Sequence, residues 1–251
     1  ISTLISTNPP EKSFMRPKDG FAAVGIAWLL LSLFGCLPFY ISGQIPSFID
    51  AFFETVSGFT TTGSSILTEV ESLDRGMTFW RSFTNWIGGM GILVFVLAIL
   101  PQSDMKSTRM MHMMRAESPG PTVGKLVPKL KQTATIMYAI YIVLTTVEMI
   151  LLLVGGMPFF DSICHSLATA GTGGFSIKNM GIAHYGSAYI EIVITVFMIL
   201  FSVNFNVFYL IISGNILRAL KSEELWGFLG IIAFSIATIT INVSSMYESW
   251  L

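Results

Sequence analysis

The sequence contains few charged residues and little cysteine or histidine. Only 12% of its 251 residues are charged and the formal net charge is −1, whereas an ordinary soluble domain carries about 25% charged residues. This balance excludes a strongly basic nucleic-acid-binding protein, so we expect no nucleic-acid partner. Two cysteines, Cys36 and Cys164, are too few for a disulfide framework. Since 53% of the residues are hydrophobic, a disordered chain is also excluded, and a multi-span membrane protein remains.

Five stretches with little or no charge are long enough to cross a lipid bilayer as helices. About 20 helical residues span the hydrocarbon layer. The predicted spans lie near residues 21–41, 80–100, 133–155, 189–212 and 226–244. Two more uncharged stretches, 55–68 and 162–177, are rich in glycine, serine and threonine but are too short to cross. We expect each of them to enter the membrane part-way, as a re-entrant segment.

Positive residues are concentrated in three segments outside these spans. Residues 1–20, 101–131 and 213–225 together hold 11 of the 14 lysines and arginines. Five spans allow all three segments to lie on one side, and by the positive-inside rule that side is the cytoplasm. The sequence therefore predicts a multi-pass protein of the cytoplasmic (inner) membrane. Because it begins at Ile1 and ends just after a span, we expect a segment of a longer membrane protein; a naturally short protein is the alternative.

The two re-entrant stretches belong to an internal repeat. The segment PSFIDAFFETVSGFTTTGSSI, which begins at Pro46, aligns with MPFFDSICHSLATAGTGGFSI, which begins at Met157, at a constant offset of 111 residues. The identical pairs are Phe48 and Phe159, Asp50 and Asp161, Thr61 and Thr172, Gly63 and Gly174, Ser65 and Ser176, and Ile66 and Ile177. Both copies have the same order of helix, proline, short helix, Gly/Thr turn, polar link and helix. Transporter repeats are usually weak in sequence, so this shared order supports a true repeat.

The repeat predicts an all-α membrane protein made of tandem helix–pore-loop–helix units around a central pore. Residues 21–100 form repeat A and residues 132–213 form repeat B. A cytoplasmic segment, 1–20, precedes repeat A, and the basic cytoplasmic loop 101–131 separates the two repeats. Residues 214–251 form a cytoplasmic link and the first helix of a further, truncated repeat.

The Gly/Thr turns are the candidate ion-binding residues. They are Thr60, Thr61, Thr62 and Gly63 in repeat A, and Gly171, Thr172, Gly173 and Gly174 in repeat B. Irregular backbone at membrane depth persists only where protein buries it or where it lines a water-filled cavity. Backbone carbonyls and threonine hydroxyls can replace the water shell of a monovalent cation, and glycine allows the necessary backbone turns. The alternative is that these turns are only packing contacts between helices, where small residues are common.

Four segments of the chain resemble the Trk-type pore-forming subunit of the Trk/Ktr/HKT potassium transporter superfamily. They are SFIDAFFETVSGFTTTGSS, WRSFTNWIGGMGILVFVLAILP, ESPGPTVGKLVPKLKQTA and LATAGTGGFS. The resemblance covers nearly the whole chain and implies four repeats around one pore, of which this chain would hold repeats two and three and the start of four. It also implies a selectivity filter at the two Gly/Thr turns. The potassium ions would then lie at Thr61, Thr62, Gly63, Thr172, Gly173 and Gly174.

The resemblance further implies how such a pore is closed and what it binds. A gate below the filter would fall at Asn204, Phe205 and Asn206, within the predicted span 189–212. Amides that bond neighbouring helices are the alternative interpretation of Asn204 and Asn206. The family implies a homodimer in the lipid bilayer, cytoplasmic nucleotide-binding regulatory subunits, potassium as substrate and no cofactor in this chain.

Four polar residues in or near the spans each have two interpretations. Glu54 and His165 occupy equivalent positions of the repeat, one turn before the filter, so we predict that both support the filter backbone by hydrogen bonds; exposure in an outer vestibule is the alternative. Glu148 lies inside a predicted span and is either a functional acid or the donor or acceptor of a bond between helices. Arg81, beside Trp80, is interpreted as an anchor at the membrane interface, or as a charge that offsets the vestibule acids.

Two functions compete on this evidence. The first is potassium uptake through a filter of backbone carbonyls and threonine hydroxyls, gated below the filter. The alternative is a cation-coupled secondary transporter of another solute, which would need charged residues near the bilayer centre, and only Glu148 comes close. The spans contain no His/Glu metal spacing and no Ser/His pair, so we expect the protein not to be an enzyme.

Overall fold

The computed structural model describes residues 17–91 and 130–243, and over these ranges the chain is helical with no β-strand. This confirms the predicted all-α class. The helices, in chain order, are α1 (Pro17–Gly35), α2 (Leu37–Ile41), α3 (Phe48–Phe59), α4 (Arg75–Met90), α5 (Leu130–Val154), α6 (Phe159–Ala170), α7 (Ala188–Ser202), α8 (Phe205–Ile212), α9 (Ile216–Leu220) and α10 (Glu223–Val243). Two 3-10 turns, Val70–Ser72 and Gly181–Tyr185, lie in the links that follow the Gly/Thr turns.

Three stretches of the described chain are long and apolar enough to cross a membrane as helices. They are Val24–Ile41, Ala134–Val154 and Glu223–Val243, close to three of the predicted spans. Helix α4 covers the first part of the predicted span 80–100, and the rest of that span lies outside the described residues, as does most of the basic loop 101–131. Large side chains along α1 and α10 are exposed, as expected of surfaces that contact lipid or further protein.

The predicted span 189–212 is not one straight helix. Helices α7 and α8 are long and apolar enough to cross a membrane only when taken together, and their axes differ by 88°. Val203 and Asn204 leave the helical conformation, with ψ of 138° and 121°. Asn204 then caps α8, because its side-chain oxygen accepts a hydrogen bond from the backbone N–H of Asn206 at 2.9 Å. A capping asparagine in mid-span thus provides a local reason for the break.

The internal repeat is present in the backbone. Helix α3 runs from Phe48 to Phe59 and α6 from Phe159 to Ala170, so both ends of the two helices keep the offset of 111 residues. Ser47 caps the start of α3 by accepting a hydrogen bond from the N–H of Asp50. In both repeats a short helix leads directly into the Gly/Thr turn. The outer limits of the repeats, at 21–100 and 132–213, stay predictions.

Helix α4, which belongs to repeat A, packs on both short helices, α3 of its own repeat and α6 of repeat B. Glycine makes this close packing possible. A Cβ added at Gly88 would collide with the carbonyl oxygen of Phe59, and one added at Gly89 would lie 2.8 Å from the Cα of Gly171. The absence of side chains therefore lets α4 approach the C-terminal ends of α3 and α6. Met90, the last residue of α4, belongs to the core cluster of repeat B, in which Tyr141 and Phe201 meet edge to face with ring centroids 5.5 Å apart.

Candidate functional site

The two Gly/Thr turns lie against each other. A Cβ added at Gly63 would collide with the carbonyl oxygen of Gly173 and would lie 3.3 Å from its Cα. These two residues are 110 positions apart in the sequence, so only the packing of one repeat on the other brings them together. The structure therefore places the predicted filter turns of repeats A and B side by side, with backbone facing backbone.

Left-handed residues occupy equivalent positions in the two turns. Thr61 and Thr172 both have φ of 55°, and Gly63 and Gly174 have φ of 73° and 76°. In the described part of the chain, these two threonines are the only non-glycine residues with positive φ. A left-handed conformation costs a residue with a Cβ about 1–2 kcal/mol. The same unfavourable conformation at equivalent positions indicates that both repeats need this backbone path.

The left-handed threonines also end the short helices. In repeat A the N–H of Thr61 donates to the carbonyl of Gly58, and that of Thr62 to the carbonyl of Ser57, both at 3.0 Å. This is the Schellman arrangement, in which glycine usually occupies the left-handed position. Helix capping therefore accounts for the conformation of Thr61, but it leaves the second left-handed residue, Gly63, unexplained. The C-terminal ends of α3 and α6, which carry partial negative charge, both point into the turns and favour a cation there.

Glu54 lies behind the turn of repeat A. It is 1% exposed and accepts hydrogen bonds from the Ser65 hydroxyl at 3.0 and 3.1 Å and from the Ile66 N–H at 2.9 Å. Both donors follow the Gly/Thr turn directly in the sequence. Glu54 also forms an ion pair with Arg81, at 2.6 Å. The structure thus places Glu54 in contact with the backbone that leaves the turn rather than in an open vestibule.

The interpretation of Arg81 as an interfacial anchor is wrong. Arg81 is 3% exposed, and besides Glu54 its guanidinium contacts repeat B. Its Nη1 donates to the carbonyl of Ser176 at 2.9 Å, and the guanidinium carbon lies 3.7 Å from the centre of the Phe175 ring. The neighbouring Trp80 and the outer position suggested a surface residue, because nothing local in the sequence identifies a partner in the other repeat.

Asn85 is a second site residue that the sequence analysis missed. Its side chain, on α4, is fully buried and lies behind the turn of repeat B. A Cβ added at Gly173 would be 2.6 Å from Nδ2 and 2.7 Å from Oδ1 of Asn85. Nδ2 also lies 3.5 Å from the carbonyl oxygen of Ala168 as a hydrogen-bond donor. The one available signal is an amide at a helix position between otherwise apolar or small residues.

His165, the repeat-B equivalent of Glu54, has a different environment. It is 1% exposed, its Nε2 has no hydrogen-bond partner among the described residues, and its ring meets the edge of Tyr185 at 5.6 Å. The Tyr185 hydroxyl donates to Asp161 at 2.7 Å. Burial, together with this bond and the Asp161 charge, raises the pKa of Tyr185 well above its usual range. His165 therefore packs on Tyr185, and within the described parts of the chain its Nε2 makes no bond to the filter backbone.

Outside the filter turns, the links of the two repeats are joined by polar side chains. The Asn179 amide accepts from the N–H of Val70 at 2.8 Å and donates to Glu69 at 2.6 Å. Its own backbone N–H donates to Glu71 at 3.1 Å. These bonds hold the outer links of repeats A and B together above the turns.

Comparison with known proteins agrees with this geometry. The TrkH family, described as cation transport protein, matches residues 3–246. The chain belongs to this family. Helices long enough to cross a membrane and membership of the TrkH family make it a membrane protein.

Individual TrkH-type relatives match nearly all of this chain and about half of their own length. The chain is 34% identical to the Trk system potassium uptake protein TrkH of Salmonella typhimurium over 248 residues, which is 96% of this chain and 50% of that protein. It is 33% identical to TrkG of Escherichia coli K12 over 228 residues, 90% of this chain and 46% of that protein. The crystal structure of the potassium transporter TrkH from Vibrio parahaemolyticus matches with a TM-score of 0.77 and 30% identity, over 97% of this chain and 49% of that one. The chain spans about half the length of these relatives.

The residues predicted as a gate lie at the break between α7 and α8. A pocket of about 80 Å³ adjoins the break. It is lined by Ser202, Val203, Asn204, Val207, Glu224, Leu225 and Phe228. The Asn204 amide donates to both carboxylate oxygens of Glu224, at 3.2 and 3.1 Å. These hydrogen bonds connect the break to the first turn of α10, the helix that follows repeat B.

Glu148 remains without an assigned role in this TrkH-family chain. It is fully buried on α5, and neither carboxylate oxygen makes a hydrogen bond with a described residue. Its carboxylate faces the side chain of Thr169 on α6, a polar contact between the two helices. Within residues 17–91 and 130–243, no group of three or more His, Cys, Asp or Glu side chains is placed to hold a metal ion.

Proposed function

We propose that this chain forms part of the ion path of a potassium uptake transporter of the cytoplasmic membrane. The observation that carries the proposal is the contact between the turns of repeats A and B, at Gly63 and Gly173. Support comes from the relatives named potassium uptake proteins and from the TrkH-family match along the chain.

The proposed filter is made of backbone carbonyls and threonine hydroxyls. Potassium would contact oxygens of the turns, with the ion positions at Thr61, Thr62, Gly63, Thr172, Gly173 and Gly174, and with Thr60 and Gly171 completing the turns. Two features support this proposal. Left-handed residues recur at equivalent points of both turns. The partial negative charges at the C-terminal ends of α3 and α6 favour a cation in the turns, so that no carboxylate ligand is needed.

A direct test uses the complete reading frame that encodes this chain, expressed in a bacterium that lacks potassium uptake. We expect growth at low external potassium to be restored, together with rubidium uptake that potassium inhibits more strongly than sodium does. An empty vector serves as the control, and immunodetection in the membrane fraction shows that the protein is present. Protein in the membrane without rubidium uptake would contradict the proposal, as would uptake of an organic solute in place of rubidium.

We further propose that the α7–α8 break forms the gate, held by the bond between Asn204 and Glu224. Two non-helical residues in mid-span support a bistable segment, and the amide–carboxylate bond holds it against α10. Phe205 and Asn206, the first residues of α8, would move with the break.

Replacing Glu224 by alanine is expected to raise rubidium leakage from loaded proteoliposomes several-fold, because Asn204 loses its acceptor and the break is released from α10. This bond is exposed, and an exposed bond to a charged group contributes about 1 kcal/mol, which is several-fold in an equilibrium. Glu223→Ala is the matched control, since Glu223 is the neighbouring exposed acid. Equal leakage from both variants would show that the bond does not restrain the gate.

The assembly is also a proposal. The relatives are named as parts of a Trk system, and the family resemblance implies a homodimer with cytoplasmic nucleotide-binding regulatory subunits. Chemical cross-linking of the purified full-length protein in lipid nanodiscs is expected to yield a dimer. A product of monomer size at all cross-linker concentrations would contradict that expectation.

A further inference from the structure

Arg81 connects the backbone segments that leave the two Gly/Thr turns. Its Nε donates to Glu54 Oε1 at 2.6 Å, and its Nη1 donates to the carbonyl of Ser176 at 2.9 Å. Glu54 in turn accepts from the Ser65 hydroxyl and the Ile66 N–H. An unbroken chain of hydrogen bonds thus runs from repeat A to repeat B through one buried ion pair.

The points that this chain of bonds joins are equivalent in the two repeats. Ser65 and Ser176 are identical residues at the offset of 111, and each lies two positions after the left-handed glycine of its turn. A link between equivalent points bears directly on the distance between the turns. The aromatic ring of Phe175, one residue earlier, lies against the same guanidinium and adds a second fixed contact on the repeat-B side.

Only repeat A carries the ion pair. At the same offset, repeat B has His165 in place of Glu54 and Ile192 in place of Arg81. Ile192 is 63% exposed, and Nε2 of His165 has no partner among the residues that the structure describes. Repeat A therefore supplies the ion pair that contacts repeat B, and repeat B has no equivalent pair at the same offset.

Stability alone is a weak explanation for this pair. Replacing a buried ion pair by apolar residues of similar volume is often neutral or stabilising, because the desolvation of two charges offsets their attraction. Removing one partner is costly only because the other charge stays buried. This charge pair contributes little net stability, but it connects the segments that leave two turns in different repeats. Its main effect is therefore on the position of one turn relative to the other.

We propose that Arg81 is a positioning residue that sets the spacing of the two filter turns and so the size of cation that the path accepts. The inference rests on the proposed function, because it assigns selectivity to the same site. Arginine suits the task since its planar guanidinium donates in several fixed directions, to Glu54 on one side and to Ser176 on the other. Lysine would keep the charge but lose this fork.

The test compares rubidium and sodium uptake by Arg81→Gln, Arg81→Lys and Glu54→Gln in the complete transporter chain. We expect the ratio of rubidium to sodium uptake to fall about tenfold in each variant, within the range of coupling found between groups of one hydrogen-bond network. The ratio does not depend on how much protein reaches the membrane. A merely stabilising role would lower both uptake rates together and leave the ratio unchanged. Arg75→Gln is the matched control, because Arg75 is an exposed arginine on the same helix.

A double variant separates geometry from stability. Glu54→Leu combined with Arg81→Met removes both charges and keeps similar side-chain volume. We expect more of this double variant than of the single variants in the membrane, while its rubidium-to-sodium ratio stays below that of the unmodified chain. A wild-type ratio in Arg81→Gln, or in the double variant, would overturn this inference and leave the proposed function intact. Absence of rubidium uptake by the unmodified chain would overturn the proposed function and this inference with it.

Discussion

Replacing Gly63 by alanine is expected to reduce rubidium uptake by more than about 100-fold. The new Cβ would collide with the carbonyl oxygen of Gly173, and alanine would also have to adopt the positive φ of 73°. Steric overpacking and the left-handed conformation together cost about 3 kcal/mol or more, which corresponds to about 100-fold in a rate. The measurement is initial rubidium uptake by cells, normalised to the protein detected in the membrane.

Two other glycines separate the two causes. Gly174 has nearly the same φ, 76°, but a Cβ added there meets nothing within 4 Å, so Gly174→Ala is expected to show only the milder conformational effect. Gly43, with φ of 73° and open space around it, lies in an external turn, and Gly43→Ala should leave uptake close to that of the unmodified protein. If Gly63→Ala and Gly43→Ala had equal uptake, the proposed contact between the turns would play no part in transport.

Replacing Gly173 by alanine is expected to lower uptake at least about tenfold, and a second substitution should restore it. The three atoms nearest to the added Cβ are Nδ2, Oδ1 and Cγ of Asn85, at 2.6 to 3.0 Å. Overpacking of this kind costs about 1–3 kcal/mol. Asn85→Ala removes those three atoms, so the double variant Gly173→Ala, Asn85→Ala should recover uptake to within about threefold of Asn85→Ala alone.

Gly171 provides the control for this rescue. A Cβ added at Gly171 lies 2.5 Å from the backbone oxygen of Asn85 as well as 2.5 Å from its Oδ1. Shortening the Asn85 side chain leaves the backbone in place, so Asn85→Ala should not rescue Gly171→Ala. Rescue of both glycine variants, or of neither, would contradict the packing of Asn85 behind the filter turn.

The local features of the fold followed from the sequence because they depend on neighbouring residues. The spans depend on the length of apolar runs, and the short helices with their Gly/Thr turns depend on a motif that occurs twice at one offset. The structure agrees in the all-helical class, and it shows the offset of 111 residues between α3 and α6. Glu54 lies in the same repeated motif and accepts a hydrogen bond from the backbone that leaves the turn; its role as a filter support stays a prediction.

The predictions failed or were incomplete where the partner of a residue is distant in the sequence. Arg81 was interpreted as an interfacial anchor, yet its acceptors are 27 and 95 residues away. Asn85 was not selected at all, because the glycine backbone that it packs on belongs to the other repeat. His165 shares its repeat position with Glu54, but its ring packs on Tyr185, and its Nε2 has no hydrogen-bond partner among the described residues.

What the sequence determined by itself is the membrane class, the repeat and the two Gly/Thr turns, because apolar length, charge placement and turn chemistry act over a few residues. Only the tertiary structure decided that the two turns touch at Gly63 and Gly173 and that Arg81 joins their flanks. The reason is physical: contacts between residues that are distant in the sequence depend on how the surfaces of the helices fit, and that fit is encoded by no single stretch of the chain.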